Sequence, residues 1–459
     1  MSNQTEAGAE GALVVDEEGT TSWWLPRAAA VAEVTIPVAD GVEISVDAGD
    51  PTLVLSWSAA ADADPGLLAA VFTDDALVDR VHTLRSGGEQ VVVEIAPTLS
   101  RPWARLATVS AVRQCEVRPL HEGALLLDLA AATSGVGNAE AAAHVFGLAA
   151  PSLLALGEDC LAGEVRGGAA TELVDIAQAG ATALAGTAWA QDVQALATRL
   201  REEVSQVPDI FVGDLVGAFS ADIWVAGVST PSSVLKPEFV DPALVPARIL
   251  SWPGAGKHEV FIEVHDGYVI VTATLAPRVD DRTLEANQLL AYAARREDGG
   301  LVATAPMTVA GRTVKAALSV SDELNQLSFG ILHADGDLED LRVDPTGRLM
   351  VEVDREMVDA FAYQRAALAV LHRTSVTDDQ SAALEAKEAN EDKALAAAGR
   401  GLSRVKTALK GTIEDLDMRE SFEARAEAIA NFRTRIGRGE LPAGAEPLLA
   451  ELLPRDVSE

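Results

Sequence analysis

Cysteine, aromatic side chains and positive charge are all scarce in this chain, and each shortage removes a class of protein. Cys115 and Cys160 are its two cysteines, far too few for a disulfide-stapled secreted scaffold, so a reducing, cytoplasmic setting is the expectation. Aromatic residues make up 4% of the sequence while alanine abounds; cores must then be filled by small side chains on closely approaching helices. Lys and Arg number 36 against 70 Asp and Glu, a formal charge of -34. Such a surface repels phosphate backbones and anionic headgroups, which argues against nucleic acid or membrane as a direct partner. The first 19 residues hold five acids and no Lys or Arg, unlike a basic, apolar leader, and read as a disordered acidic tail through residue 22. The longest nearly uncharged stretch, 141–157, includes His144 and Pro151. It is shorter than the roughly 20 residues that span a bilayer, so it reads as a buried helix.

What is present is a chain of 459 residues whose pattern changes several times, too long for one ordinary core. The fold class expected is α+β multidomain. Residues 23–102 read as a mixed α/β unit, with short strands across 34–57, helical spacing over 67–84 and a strand at 91–95. Residues 103–205 read as an Ala-rich helical domain with helices at 103–114, 122–132, 139–156, 170–186 and 188–204. The pair from Leu125 to Leu156 has the small-residue look of a tetratricopeptide-like hairpin, but no period near 34 residues recurs, so a bundle is expected.

A linker at 206–243 leads to a β-sandwich over 244–354. Strands are expected at 247–252, 259–264, 268–275, 301–309, 313–320, 326–333 and 348–353, separated by Asp-Gly and Gly-containing turns. Residues 355–437 read as a helical hairpin resembling a short coiled coil: Leu395, Leu402, Val405 and Leu409 follow 3-4 spacing, and Phe422, Ile429 and Phe432 continue an apolar stripe. Thr377 with Gln380 suits a capping box, and Gly411 with Thr412 a stop followed by a new start. Gly399 and Gly401 weaken the first helix by roughly 1 kcal/mol each relative to Ala. Residues 438–459 read as a tail. About -29 of the charge falls before residue 356 and -5 after it.

Motifs with chemical potential each fail at a diagnostic place. Gly254, Gly256, Lys257 and His258 lack the first glycine and the Ser or Thr of a phosphate loop. Gly135 and Gly137 precede a helix, but Glu140 occupies the third glycine position of a dinucleotide-binding turn. Cys115 and Cys160 share a region with His121 and His144, the ingredients of thiol catalysis, yet nothing in the sequence brings them together. Glu259, Glu263 and His265 alternate onto one strand face, where a solvated outer surface is the simpler account. Asp335, Asp337 and Glu339 start like a calcium loop that Asp340 and Thr346 then break. No catalytic residue, metal or cofactor is called for, and no family resemblance is specific enough to name.

The function expected is therefore that of a non-enzymatic, cytoplasmic interaction or scaffold protein that binds other proteins through its helical and β-sandwich modules. The docking candidates are the indole pair Trp23 and Trp24 and the stripe Leu395, Leu402, Val405, Leu409, Phe422, Ile429 and Phe432, with self-association through the hairpin as one outcome. A hydrolase with a dispersed active site, a structural component of a larger particle and an acidic nucleic-acid mimic are the alternatives. Arg400, Arg404, Lys406, Lys410, Arg433, Arg435 and Arg438 are interleaved with acids, which suits a solvated helical surface or contact with an acidic partner or the chain's own acidic body.

Overall fold

The computed structural model describes residues 11–16, 18–25, 33–39, 41–87, 92–93, 97–115, 120–204, 239–252, 260–265, 268–276, 279, 284–334, 336, 338, 341–373, 380–411, 416–439 and 446–453. The linker expected at 206–243 falls mostly outside them, as do residues 253–259, Thr377 and Thr412. The arrangement is α+β, with antiparallel sheets at both ends of an all-helical unit.

Order begins earlier than the acidic N-terminus suggests. β1 (Gly11–Val15) and β2 (Thr21–Trp24) pair as a hairpin, so the tail expected through residue 22 is corrected from Gly11 onward. Asp16 Oδ1 accepts from the Glu18 and Thr20 amides at 2.9 and 2.8 Å, and Gly19 supplies the positive φ of 87° that closes the turn. Leu13 and Trp23 bury beneath it. β3 (Glu33–Ala39), β4 (Val42–Asp47), β5 (Asp50–Ala59) and β6 (Val92–Val93) complete a sheet of order β3-β4-β5-β2-β1-β6.

Two short helices, α1 (Gly66–Val71) and α2 (Asp75–Arg85), follow the sheet. Arg85 ties α2 down: Nε donates to Thr21 Oγ1, and Nη1 and Nη2 donate to the carbonyls of Ala63 and Ala60 at 2.9 and 2.7 Å.

The helical stretch realises all five expected helices: α3 (Arg101–Cys115), α4 (Glu122–Gly135), α5 (Ala139–Leu161), α6 (Gly167–Ala183) and α7 (Ala190–Val204). Small residues set the helix spacing, as the composition implies. A Cβ at Gly123 would lie 2.1 Å from Ser152 Oγ, and one at Gly157 2.5 Å from a Leu196 methyl. α5 has 23 residues and is long and apolar enough to cross a membrane, longer than the stretch expected from sequence. Here it packs against α4, α6 and α7 and buries Ala142, Phe146, Ala149 and Leu153. One core runs from Leu13 in β1 through α3–α7, joining the first sheet to the helices.

The sandwich consists of two small antiparallel sheets around a second core. β7 (Phe261–His265), β8 (Tyr268–Thr274), β11 (Thr308–Ala310) and β12 (Thr313–Ser319) form the four-stranded sheet, in the order β11-β12-β8-β7. A short helix, α8 (Leu284–Asn287), precedes β9 (Leu289–Arg295), which lies between β10 (Leu301–Pro306) and β13 (Leu327–His333). The sequence reading misses β9, whose Ala-rich run resembles the helices upstream. Both faces of β9 are largely buried, and Gly330 in β13 sits opposite Tyr292, where a Cβ would meet the ring hydroxyl at 2.4 Å. The strand expected at 247–252 reduces to one bridge between Leu250 and Leu275.

The last expected strand, 348–353, is a helix instead. α9 (Pro345–Arg373) starts with Asp344, whose carboxylate accepts from the Thr346 and Gly347 amides at 2.8 and 3.0 Å. An Asp cap followed by proline at the first helical position is a helix start, not a hairpin turn. Met350, Val353, Met357 and Ala360 then bury on one side of it, a spacing of three and four that shows only beyond the short apolar run 349–351. α9 therefore crosses residue 355, where the sequence pattern is expected to change. With α10 (Gln380–Lys410) and α11 (Leu416–Gly437) it forms a three-helix unit in place of the expected hairpin. α10 runs unbroken through Gly399 and Gly401.

The expected C-terminal tail is docked from Glu446 to Leu453, around α12 (Leu449–Leu452). Asp128 of α4 accepts from the Leu449 and Ala450 amides, both at 3.0 Å. Arg365 Nε donates to Glu451 in a buried pair at 2.8 Å, and Arg105 donates to the Glu446 carbonyl at 2.9 Å. A segment that looks detached in sequence is thus held by α3, α4 and α9.

Candidate interaction surface

Most of the docking stripe expected from sequence is used internally. Leu402, Val405, Phe422, Ile429 and Phe432 are buried in the three-helix core, and Leu395 and Leu409 pack against it. The reason is the helix found where a last strand was expected: α9 lies along α10 and closes what a two-helix hairpin would leave open. Trp23 is also core, placed opposite Trp57 on the neighbouring strand. Trp24 alternates to the outer face of the sheet and is 43% exposed.

The motifs weighed for chemistry also resolve. Cys115 and Cys160 are buried and form no disulfide; burial and then Glu203 push the Cys160 thiol up, away from its nucleophilic form. His121 serves as the N-cap of α4, its Nδ1 accepting from the Ala124 amide at 3.0 Å, and burial lowers its pKa. His144 is on the exposed side of α5. Gly135 and Gly137 form the α4–α5 turn, with Asn138 capping α5. Among the described residues no group of three His, Cys, Asp or Glu side chains is arranged to hold a metal ion. Glu259 and the candidate phosphate and calcium loops lie outside the described residues, apart from isolated positions.

Charged side chains cluster where the units meet, and they neutralise one another. Arg355 of α9 lies between two aromatic rings, 4.5 Å from the centroid of Phe239 and 4.4 Å from that of Trp252. Its neighbour Glu356 accepts from Arg400 at 2.8 Å, and Glu352 accepts from Arg404 at 2.6 Å. Asp359 lines the same narrow cleft; burial, then Glu356, push its carboxyl up to about 6, against the pull of Arg355 and Arg400. Arg342 bridges Asp241 and Asp354, Arg248 pairs with Glu122 at 2.6 Å, and Arg435 of α11 reaches Asp50 in the first sheet. Of the C-terminal cations, Arg400, Arg404 and Arg435 thus meet acids of the chain itself, while Lys406, Lys410 and Arg433 lie on the exposed helical surface, with Arg438 exposed just after α11. Breaking one partner of such a buried pair strands the other, so these contacts fix how the units join.

Among the described residues, the outer face of the four-stranded sheet is open. Inward residues Ile262, Val269, Val271, Val314 and Leu318 bury in the second core, so their neighbours face outward by the period of two. Register places Phe261 opposite Thr272, Glu263 opposite Ile270 and His265 opposite Tyr268. The next strand continues the rows with Lys315, Ala317 and Ser319, and β11 adds Thr308 opposite Lys315 and Ala310 opposite Thr313. Phe261 is 46% exposed and Tyr268 54%. Glu263 and Lys315 carry opposite charges, and His265 Nε2 lies 3.4 Å from Glu263 Oε2. The face is therefore formally neutral, in a chain of charge -34. Sequence reading finds the outward positions of β7 but takes them for a solvated face; the matching row on β8 is hidden because Tyr268 and Ile270 are as apolar as the Val269 and Val271 beneath them. No family model, curated protein or solved structure matches the chain.

Proposed function

We propose that this chain is a non-enzymatic interaction protein that seats another protein on the outer face of its four-stranded sheet. The observation that supports this reading is the pair Phe261 and Tyr268, large and exposed on adjoining strands, within a face of zero formal charge. Depletion of charge with aromatic enrichment is the compositional mark of an interface centre, and large aromatics anchor most binding energy. A second copy is a poor occupant, because each copy brings the same acidic body and the two repel. Two buried cysteines without a disulfide between them fit a cytoplasmic setting. The rigid, ion-paired joints between units suit a scaffold that presents this face in a fixed orientation.

The test compares wild type with the double variant Phe261→Asp, Tyr268→Asp, both at exposed positions, as baits in a soluble extract of the producing cell. Matched melting curves show that the fold is kept. The expected result is a specific protein recovered by wild type and reduced at least about tenfold by the variant, the scale of losing a hot spot. Equal recovery by both baits would contradict the proposal.

A further inference from the structure

One end of this sheet face differs from the rest of it in charge. Tyr268, His265 and Ser319 align there, and the chain leaves β12 directly into Asp322 and Glu323. Arg295, at the end of β9, has Asp298, Asp322 and Glu297 as its charged neighbours. Its guanidinium is bonded to Asp298 at 2.9 Å, and Arg296 donates to the Leu327 carbonyl at 2.9 Å. Among the described residues, both arginines at this end are thus engaged within the protein. Four carboxylates, Glu297, Asp298, Asp322 and Glu323, stand against those two, a local excess of negative charge beside the row that holds Tyr268, with Phe261 in the row at the opposite end of the face.

We infer that the protein seated on this face is a basic one, with an apolar contact patch flanked by Lys or Arg side chains that meet Asp322 and Glu323. This rests on the function proposed above and adds the chemistry of the partner. The two parts of the surface do different work. Phe261 and Tyr268 lose water on contact and govern how long the complex lasts. The carboxylates at the rim remain partly hydrated, so they act over a Debye length on the rate of encounter and lose that influence as salt rises.

The experiment takes the protein most enriched by the wild-type chain from the cell extract and measures its association rate with three full-length chains: wild type, the double variant Phe261→Asp, Tyr268→Asp, and Asp322→Asn, Glu323→Gln. Salt is set at about 50 mM and about 300 mM, on either side of the screening range. The rim variant is expected to associate several-fold more slowly than wild type at low salt and at the wild-type rate at high salt, while the aromatic variant stays weak at both. A rim variant that matches wild type at low salt would overturn the basic partner and leave the binding face standing. An aromatic variant that binds like wild type would overturn the face itself. Sedimentation showing wild-type dimers that Phe261→Asp, Tyr268→Asp dissociates would also overturn the inference, by making a second copy the occupant.

Discussion

Asp128 shows how much one residue can be asked to do. It is buried in α4 and accepts two amides from the start of α12, with Arg105 at 3.6 Å. Burial is the largest influence on its carboxyl and pushes it up from 3.8 to about 7, despite Arg105 and the two amides. A carboxyl raised on folding binds its proton more tightly in the folded chain. Its contribution is complete below pH 3.8 and is lost as pH rises through about 7, at about 1.4 kcal/mol per unit across that window. Asp128→Asn should flatten this part of the stability profile and cost about 1 kcal/mol at pH 5 for the weakened amide contact. Urea titrations of both chains from pH 4.5 to 7.5, a window of about three units, check it; parallel profiles would show that the carboxyl ionises freely.

At the scale of elements, what could be read from sequence depended on whether one period dominated. The five helices between residues 101 and 204 were legible because long apolar runs with Asn138 and Gly137 at their ends admit no other reading. α9 was not, because Arg348–Val353 is a short apolar run behind a turn-like Asp-Pro-Thr-Gly, which reads as a strand, while its true spacing emerges only with Met357 and Ala360. β9 failed the opposite way: its alanines look helical, and the reason it is a strand, the space that Gly330 leaves for Tyr292, lies about forty residues downstream. Docking of residues 446–453 was equally invisible, since Asp128 and Arg365 become its partners only in three dimensions.

Close approach of helices is the element-scale feature that composition did foretell, and it is testable. Leu196 of α7 occupies the place a side chain would take at Gly157 of α5, and both residues are buried. Gly157→Leu should destabilise the chain by about 2–3 kcal/mol through overpacking, read as a lower urea midpoint with an unchanged slope. A midpoint equal to wild type would mean that the α5–α7 contact is loose.

For the whole molecule, charge is the organising quantity. The net -34 does not spread evenly: some acids are consumed in the joints by Arg248, Arg342, Arg365 and Arg435, and the four-stranded sheet carries a formally neutral outer face. On an acidic body, a neutral face that carries exposed aromatic rings is a surface from which water leaves cheaply. Oxidative footprinting of the full chain, free and after recovery with its bound partner from cell extract, reads out whether that face is covered. Phe261 and Tyr268 are expected to be oxidised readily in the free chain and to become protected together in the complex, while Trp24 keeps its reactivity. Unchanged oxidation of Phe261 and Tyr268 in the complex would contradict it.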